Sequence, residues 1–397
     1  MNPAAGAQVD RIGTLLAART RANARFFEAE AQRLAQLCHR MAERFARGGR
    51  LIAFGASAAD RSDVRHVAVE FVHPVIVGKR ALPALGLAPE EVGLLAGGDD
   101  IAIAFGAGRR VEEAVAAARA RGCLTLAFAP VGAECELWPP DGDPFVAQEL
   151  CETAYHVLWE LVHVFFEHRG LLEGRDAGPV HDAGASSFLY PFLAEGETDL
   201  AAVLADVGAS ILLKAREVGE LRAQTLGEGR AALRDTAAAL RARLDAGGTV
   251  LALGNGGSAT DAMDAVADLR EPPAERRWPA RRALDLTEDS SIITAIANDI
   301  GTEAIFARQV IAYGGPGDAL LALSTSGNSI NIVAALAEGR RRGLATVAFV
   351  GYDGGRIAAE HLADHIVVTR SEHIPRIQEA QASAWHVLRE LIEESGA

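Results

Sequence analysis

Two short turns of small polar residues carry the first chemical signal. Gly254-Asn255-Gly256-Gly257-Ser258 follows the apolar run Thr249–Leu253, and Ser324-Thr325-Ser326-Gly327-Asn328-Ser329 follows Ala319–Leu323. Each reads as a buried strand, a loop and then a helical pattern. Free backbone N–H groups and the helix dipole at such a terminus favour a phosphate. Glycines let the backbone approach the ligand, and hydroxyls add donors. One such turn is ordinary helix capping by Ser or Asn. Two at matching strand ends read as a phosphate cradle, because α/β folds bind ligands at those ends.

A second set of residues is ionisable. His66 and Glu70 stand four apart, as do Asp264 and Asp268, so each pair shares one helix face. Gln148 precedes His156 by eight residues, and Gln378 precedes His386 by the same interval. Two facing carboxylates without a cation repel, and one pKa rises. With a cation, an oxygen-rich set favours magnesium or manganese over zinc. Eight residues of helix rise about 12 Å. Each Gln and its His therefore serve different sites, unless the helix begins irregularly.

The elements that position these residues come in two copies. Gly48–Gly55 matches Gly247–Gly254, and the strand patterns Ile101–Phe105 and Leu124–Phe128 return as Ala319–Leu323 and Ala345–Val350. Each copy ends in an amphipathic helix with Gln-Glu and a later His, and the first lacks about thirty residues inside. Each is preceded by a long helical stretch, near Val9–Arg47 and Asp199–Ala246. Strands alternating with helices predict an α/β chain of two parallel sheets, each covered on both faces. The expected boundaries are 1–170 and 197–397, with a Gly-, Pro- and Ser-bearing linker at 171–196.

Bulk properties narrow the function. The chain has 397 residues and a net charge of −14. An acidic chain without a Lys/Arg block is a poor nucleic-acid binder. The four cysteines make no C-x-x-C pair, so neither a disulfide framework nor a zinc ribbon is indicated. No apolar stretch reaches the ~18 residues of a membrane span, and the N-terminus shows no signal-peptide pattern. A cytoplasmic protein that engages neither membrane nor nucleic acid is expected.

The stretches Gly254–Asp268, Asp289–Gln309, Gly315–Asn331, Gly351–Ile357 and Arg376–Glu379 together resemble the sugar isomerase (SIS) domain, specifically that of the bacterial phosphoheptose isomerases. The resemblance implies two tandem SIS domains of flavodoxin- or Rossmann-like, three-layer form, the first degenerate. It implies a sedoheptulose 7-phosphate aldose–ketose isomerase, with zinc usual in the family. By position, Asn255, Gly256, Gly257, Ser258, Ser324, Thr325, Ser326, Asn328 and Ser329 would hold the phosphorylated sugar. Asp299 would reach its hydroxyls, and Gln378 would also line the site. The family's His, Glu, Gln and His metal positions fall on Asp264, Asp268, Gln378 and His386, so two are altered. The first copy retains the set as His66, Glu70, Gln148 and His156. Its turns Gly55–Asp60 and Phe105–Arg110 have lost the Asn-Gly-Gly and the hydroxyls, with Arg109 or Arg110 as partial substitutes. Candidate acid–base pairs are Asp268 with His386, or Glu70 with His156. The resemblance also implies self-association, a dimer of tandem repeats standing in for a tetramer. The alternative is a non-catalytic sugar-phosphate sensor or scaffold, like relatives of this fold that lack the metal residues, one of which binds a replication initiator.

Overall fold

The computed structural model describes residues 3–76, 79–139, 142–167, 171–172 and 199–394. Nearly all of the expected linker, 171–196, lies outside the described residues. The chain divides into two compact units: Arg21–Glu217, and Met1–Thr20 together with Val218–Ala397.

The first unit contains most of helix α1 (Pro3–Ala46), then β1 (Leu51–Phe54), α2 (Ala58–Val72), β2 (Ala84–Leu87), α3 (Pro89–Leu95), β3 (Ile101–Ala104), α4 (Arg109–Ala120), β4 (Leu124–Ala127), β5 (Cys135–Glu136) and α5 (Pro144–Glu167). Its parallel sheet has the order β2-β1-β3-β4-β5. The run Leu51–Phe54 is apolar at every position because both faces are buried. Leu51 and Ala53 join a core with Phe27, Leu34, Met41, Val67 and Trp159, while Ile52 and Phe54 join another with Val92, Val111 and Val115.

Helix α6 (Leu200–Glu228) begins in the first unit and ends in the second. The second unit continues with α7 (Arg230–Asp245), β6 (Val250–Leu253), α8 (Gly257–Arg270), β7 (Ala283–Asp285), α9 (Ser290–Asp299), α10 (Ile305–Tyr313), β8 (Ala319–Ser324), α11 (Ile330–Arg341), β9 (Ala345–Val350), α12 (Gly355–Ala359), β10 (His365–Val368) and α13 (Ile374–Glu394). Its sheet order is β10-β9-β8-β6-β7, again all parallel. Counted within the unit, that is the same arrangement as the first sheet. Val250 and Ala252 face Leu240, Leu269 and Leu388, whereas Leu251 and Leu253 face Phe306, Val310 and Leu336.

One expectation needs adjustment. The helical stretch Asp199–Ala246 is not continuous: it breaks at Gly229, between α6 and α7. Glycine is the weakest helix former after proline, and a Cβ at Gly229 would collide with the Thr225 carbonyl. The extra length of the second copy is α9, α10 and the 3₁₀ turn Thr302–Ala304, placed between β7 and β8, where the first unit has only α3. Among the described residues, no helix is long and apolar enough to cross a membrane.

Candidate functional site

In a sheet of this order the strand direction of travel reverses between β6 and β8, and ligands of doubly wound folds bind at the carboxyl ends of the strands flanking that reversal. Both polar turns sit there. The 254–258 loop links β6 to α8, and the 324–329 loop links β8 to α11. Asn255 and Asn331 tie the two loops together: each side-chain amide donates to the other's oxygen, at 3.0 and 2.9 Å. Within the second loop, Ser324 Oγ accepts from the Gly327 N–H at 3.1 Å, and Ser326 Oγ accepts from the Asn328 N–H at 3.2 Å. Gly327 adopts φ +64°, and a Cβ there would collide with the Gly354 carbonyl. Only glycine passes that point without strain.

The candidate phosphate residues divide by exposure. Ser258 and Ser324 are buried, Gly257, Thr325, Ser326 and Ser329 are half-buried, and Asn255, Gly256 and Asn328 are exposed. Asn328 works inside the loop. Its Nδ2 donates to the Ser326 carbonyl at 2.9 Å and its Oδ1 accepts from the Arg356 N–H at 2.8 Å. Asp299 ends α9, exposed, and accepts from Asn298 Nδ2 at 2.7 Å.

Asp264 and Asp268 lie along the helix that the first loop starts. Both are buried, and His386 of α13 meets them, its Nε2 3.6 Å from each carboxylate. Trp385 Nε1 donates to Asp268 Oδ2 at 2.8 Å. Burial and then the Asp264 charge push the Asp268 carboxyl up to about 7, while His386, Trp385 and Arg389 pull it down. A carboxyl titrating near neutrality is suited to give and take protons. Gln378 is buried two turns earlier on α13, between Arg376 and Glu379, which form a buried ion pair at 2.8 Å.

The first unit reverses this pattern. Between its two strand-end loops lies a protein carboxylate. Asp60 Oδ2 accepts from the Ala56 N–H at 3.1 Å and the Ser57 N–H at 2.8 Å, and a Cβ on Gly106 of the other loop would collide with it. Arg109 and Arg110 are exposed and paired with Glu113 and Glu90. The ionisable set, by contrast, is assembled. His66 and Glu70 of α2 and His156 of α5 are all buried. His66 Nε2 lies 3.3 Å from His156 Nε2 and 3.9 Å from Glu70 Oε1. Burial, reinforced by His156, holds the His66 pKa well below the ordinary histidine value. Gln148 reaches α2 elsewhere, donating to Asp63 Oδ1 at 3.4 Å.

Five site residues escape the sequence reading: Asn331, Trp385, Asp60, Asp63 and Tyr155. Asp63 lies one helical turn before His66, and Tyr155 and Trp385 each immediately precede a site histidine. Those spacings were the available signal.

A family model described as the SIS domain matches residues 215–351. A phosphoheptose isomerase of Desulfovibrio desulfuricans is 44% identical over 181 residues, covering 46% of this chain and 85% of that protein. The chain belongs to the SIS-domain family. It is an isomerase, and the phosphoheptose isomerase of Aquifex aeolicus, 42% identical over 160 residues (40% of this chain, 82% of that protein), matches as well. Among solved structures, the C-terminal domain of glucosamine-fructose-6-phosphate aminotransferase from Francisella tularensis aligns with 96% of this SIS chain and 95% of its own, at TM-score 0.60 and 9% identity. That likeness shows the two-sheet SIS fold extending over both units.

Proposed function

We propose that this SIS protein interconverts the aldose and ketose forms of a phosphorylated sugar, with sedoheptulose 7-phosphate as the candidate substrate, and that the second unit carries the reaction. The reciprocal Asn255–Asn331 pair, which joins the two polar loops across the strand reversal, is the observation that carries this reading. Backbone N–H groups of the loops and the hydroxyls of Thr325, Ser326 and Ser329 receive the phosphate. Asp264 follows Ser258 by six residues, about 9 Å along α8, and helical side chains lean back toward the N-terminus. A long-chain sugar phosphate spans that interval better than a triose does.

Proton chemistry then falls to the buried trio. Asp268 removes a proton from C1 as the carbonyl oxygen at C2 gains one, giving the enediol. His386 returns a proton to C2 while the hydroxyl at C1 loses its own, giving the aldose. The family resemblance also implies a divalent cation. Asp264, Asp268 and His386 form one buried donor set for it, and His66, Glu70 and His156 another. A cation supplies positive charge that polarises a carbonyl or holds elements together.

The test is turnover of sedoheptulose 7-phosphate. Asp268→Asn should lower kcat by about 10²–10⁴-fold. Ser326→Ala with Ser329→Ala should abolish the rise in Tm that the substrate produces in the parent. A parent whose Tm rises but which forms no isomer is a sensor, the reading that the altered metal positions Asp264 and Asp268 favour. An unchanged Tm rise in the double variant removes the cradle.

A further inference from the structure

We propose that Trp385 is a positioning residue for the isomerisation: its indole N–H holds Asp268 Oδ2, so that Oδ1 is the oxygen that exchanges the substrate proton. This rests on the sugar-phosphate reading above, in which Asp268 is the base.

The contact is short and enclosed. Trp385 is buried, and its Nε1 lies 2.8 Å from Asp268 Oδ2. An indole N–H donates and never accepts, so its partner must present a lone pair. In the carboxylate both oxygens do. In the acid the carbonyl oxygen is the better acceptor, which leaves the hydroxyl hydrogen on Oδ1. Both states therefore direct the mobile proton to Oδ1. That oxygen makes no hydrogen bond among the described residues, yet it is not sealed in, and the Asp268 side chain keeps 8% of its surface exposed. In the forward step the C1–H bond breaks, its electron pair enters the C1–C2 double bond and its proton passes to Oδ1. The C2 oxygen takes a proton from water.

The other oxygen is the wrong place for that proton. Oδ2 is the one His386 Nε2 approaches, at 3.6 Å. A proton there would stand between the two acid–base groups of one reaction and bypass the substrate. The indole N–H keeps them apart. Arg389, one turn further on α13, donates from Nε to the Asp268 main-chain oxygen at 3.4 Å, and its guanidinium lies over the Trp278 ring at 4.8 Å. That second tie joins α8 to α13 without Trp385, so losing the indole frees the carboxylate rather than the helix. An aromatic donor beside a site histidine does not by itself make this arrangement. At the matching place in the first unit, the Tyr155 hydroxyl lies 3.3 Å from Asp63 Oδ1 and 3.0 Å from His66 Nδ1.

Two measurements on the full chain test the proposal. The first needs no turnover. With ¹⁵N-labelled indoles, the resonance that Trp385→Phe removes should lie downfield in the parent and move in Asp268→Asn. Trp385→His supplies the assignment if Trp385→Phe does not fold. The second is kinetic, with sedoheptulose 7-phosphate. Trp385→Phe should lower kcat by about 10–10²-fold with KM little altered. Trp385→His should recover part of that loss, because imidazole Nε2 occupies the same place in its five-membered ring as indole Nε1. In the Asp268→Asn chain, Trp385→Phe should cost nothing further, since the two act as one unit. A resonance unmoved by Asp268→Asn, equal losses in the Phe and His variants, or a further loss in the Asp268→Asn chain assigns Trp385 to packing and overturns the proposal. A parent without turnover defeats the sugar-phosphate reading and this role together. A parent with turnover and an unchanged kcat in Trp385→Phe defeats this role alone.

Discussion

Asp268 is a carboxyl whose neighbours pull its charge in opposite directions. Burial and Asp264 favour the proton, while Trp385, Arg389 and His386 favour the anion, and the balance falls at about 7. In the unfolded chain the same group titrates near 3.9. Between those two values the folded state holds a proton that the unfolded state has released, so this group's contribution to stability is full below about pH 4 and lost as pH rises through about 7. The slope approaches 1.4 kcal/mol per pH unit at most. His66 and His163, whose folded-state pKa values are lowered by burial, act in the opposite sense over part of this range. The test is therefore the stability difference between Asp268→Asn and the parent in chelator-treated protein, which should change with pH across pH 4–8. A difference that is independent of pH would remove Asp268 as a group poised near neutrality. At this scale the sequence was legible in part. The i, i+4 pairs revealed Asp264 with Asp268 and His66 with Glu70. Trp385 and Tyr155 were hidden because a buried aromatic reads as core, and only its hydrogen-bond partner shows otherwise.

Loops and strands are the next scale. The central strands were readable because burial on both faces leaves an unbroken apolar run, as in Leu51–Phe54 and Ala319–Leu323. The edge strands β2, β5, β7 and β10 were not, being short and partly exposed, with residues such as Gly86 and His365 that carry no strand signature. The polar turns were legible from composition, but the device linking them was not. Asn331 lies beyond the serine-rich turn and acts through Asn255, seventy-six positions away in sequence. Since this pair is exposed, Asn331→Ala should change Tm by no more than about 0.5 kcal/mol would. It should still raise KM for the sugar phosphate several-fold with kcat little altered, because it loosens the two loops that grip the non-reacting end. A fall in kcat at constant KM would place the pair in the proton chemistry instead.

Across the whole molecule the same sheet order occurs twice, yet only the second unit carries the Asn-Gly-Gly and the hydroxyls in its two strand-end turns. The sequence showed this as a loss of Asn-Gly-Gly and of hydroxyls. It did not show what fills the position. In the first unit the Ala56 and Ser57 N–H groups are turned on the Asp60 carboxylate. That carboxylate also lies against Gly106 of the facing loop, so a phosphate entering there would meet a fixed negative charge at close range. The nearby guanidinium groups of Arg109 and Arg110 are exposed and matched by Glu113 and Glu90, so they offer little compensation. On the proposed function the two units are thus unequal as phosphate sites although alike in fold. Calorimetric titration with sedoheptulose 7-phosphate should therefore return one site per chain, not two. That one site should disappear in the Ser326→Ala, Ser329→Ala variant, leaving no weaker second isotherm behind. A stoichiometry of two in the parent, or a residual site in the double variant, would mean that the first unit admits the ligand despite Asp60.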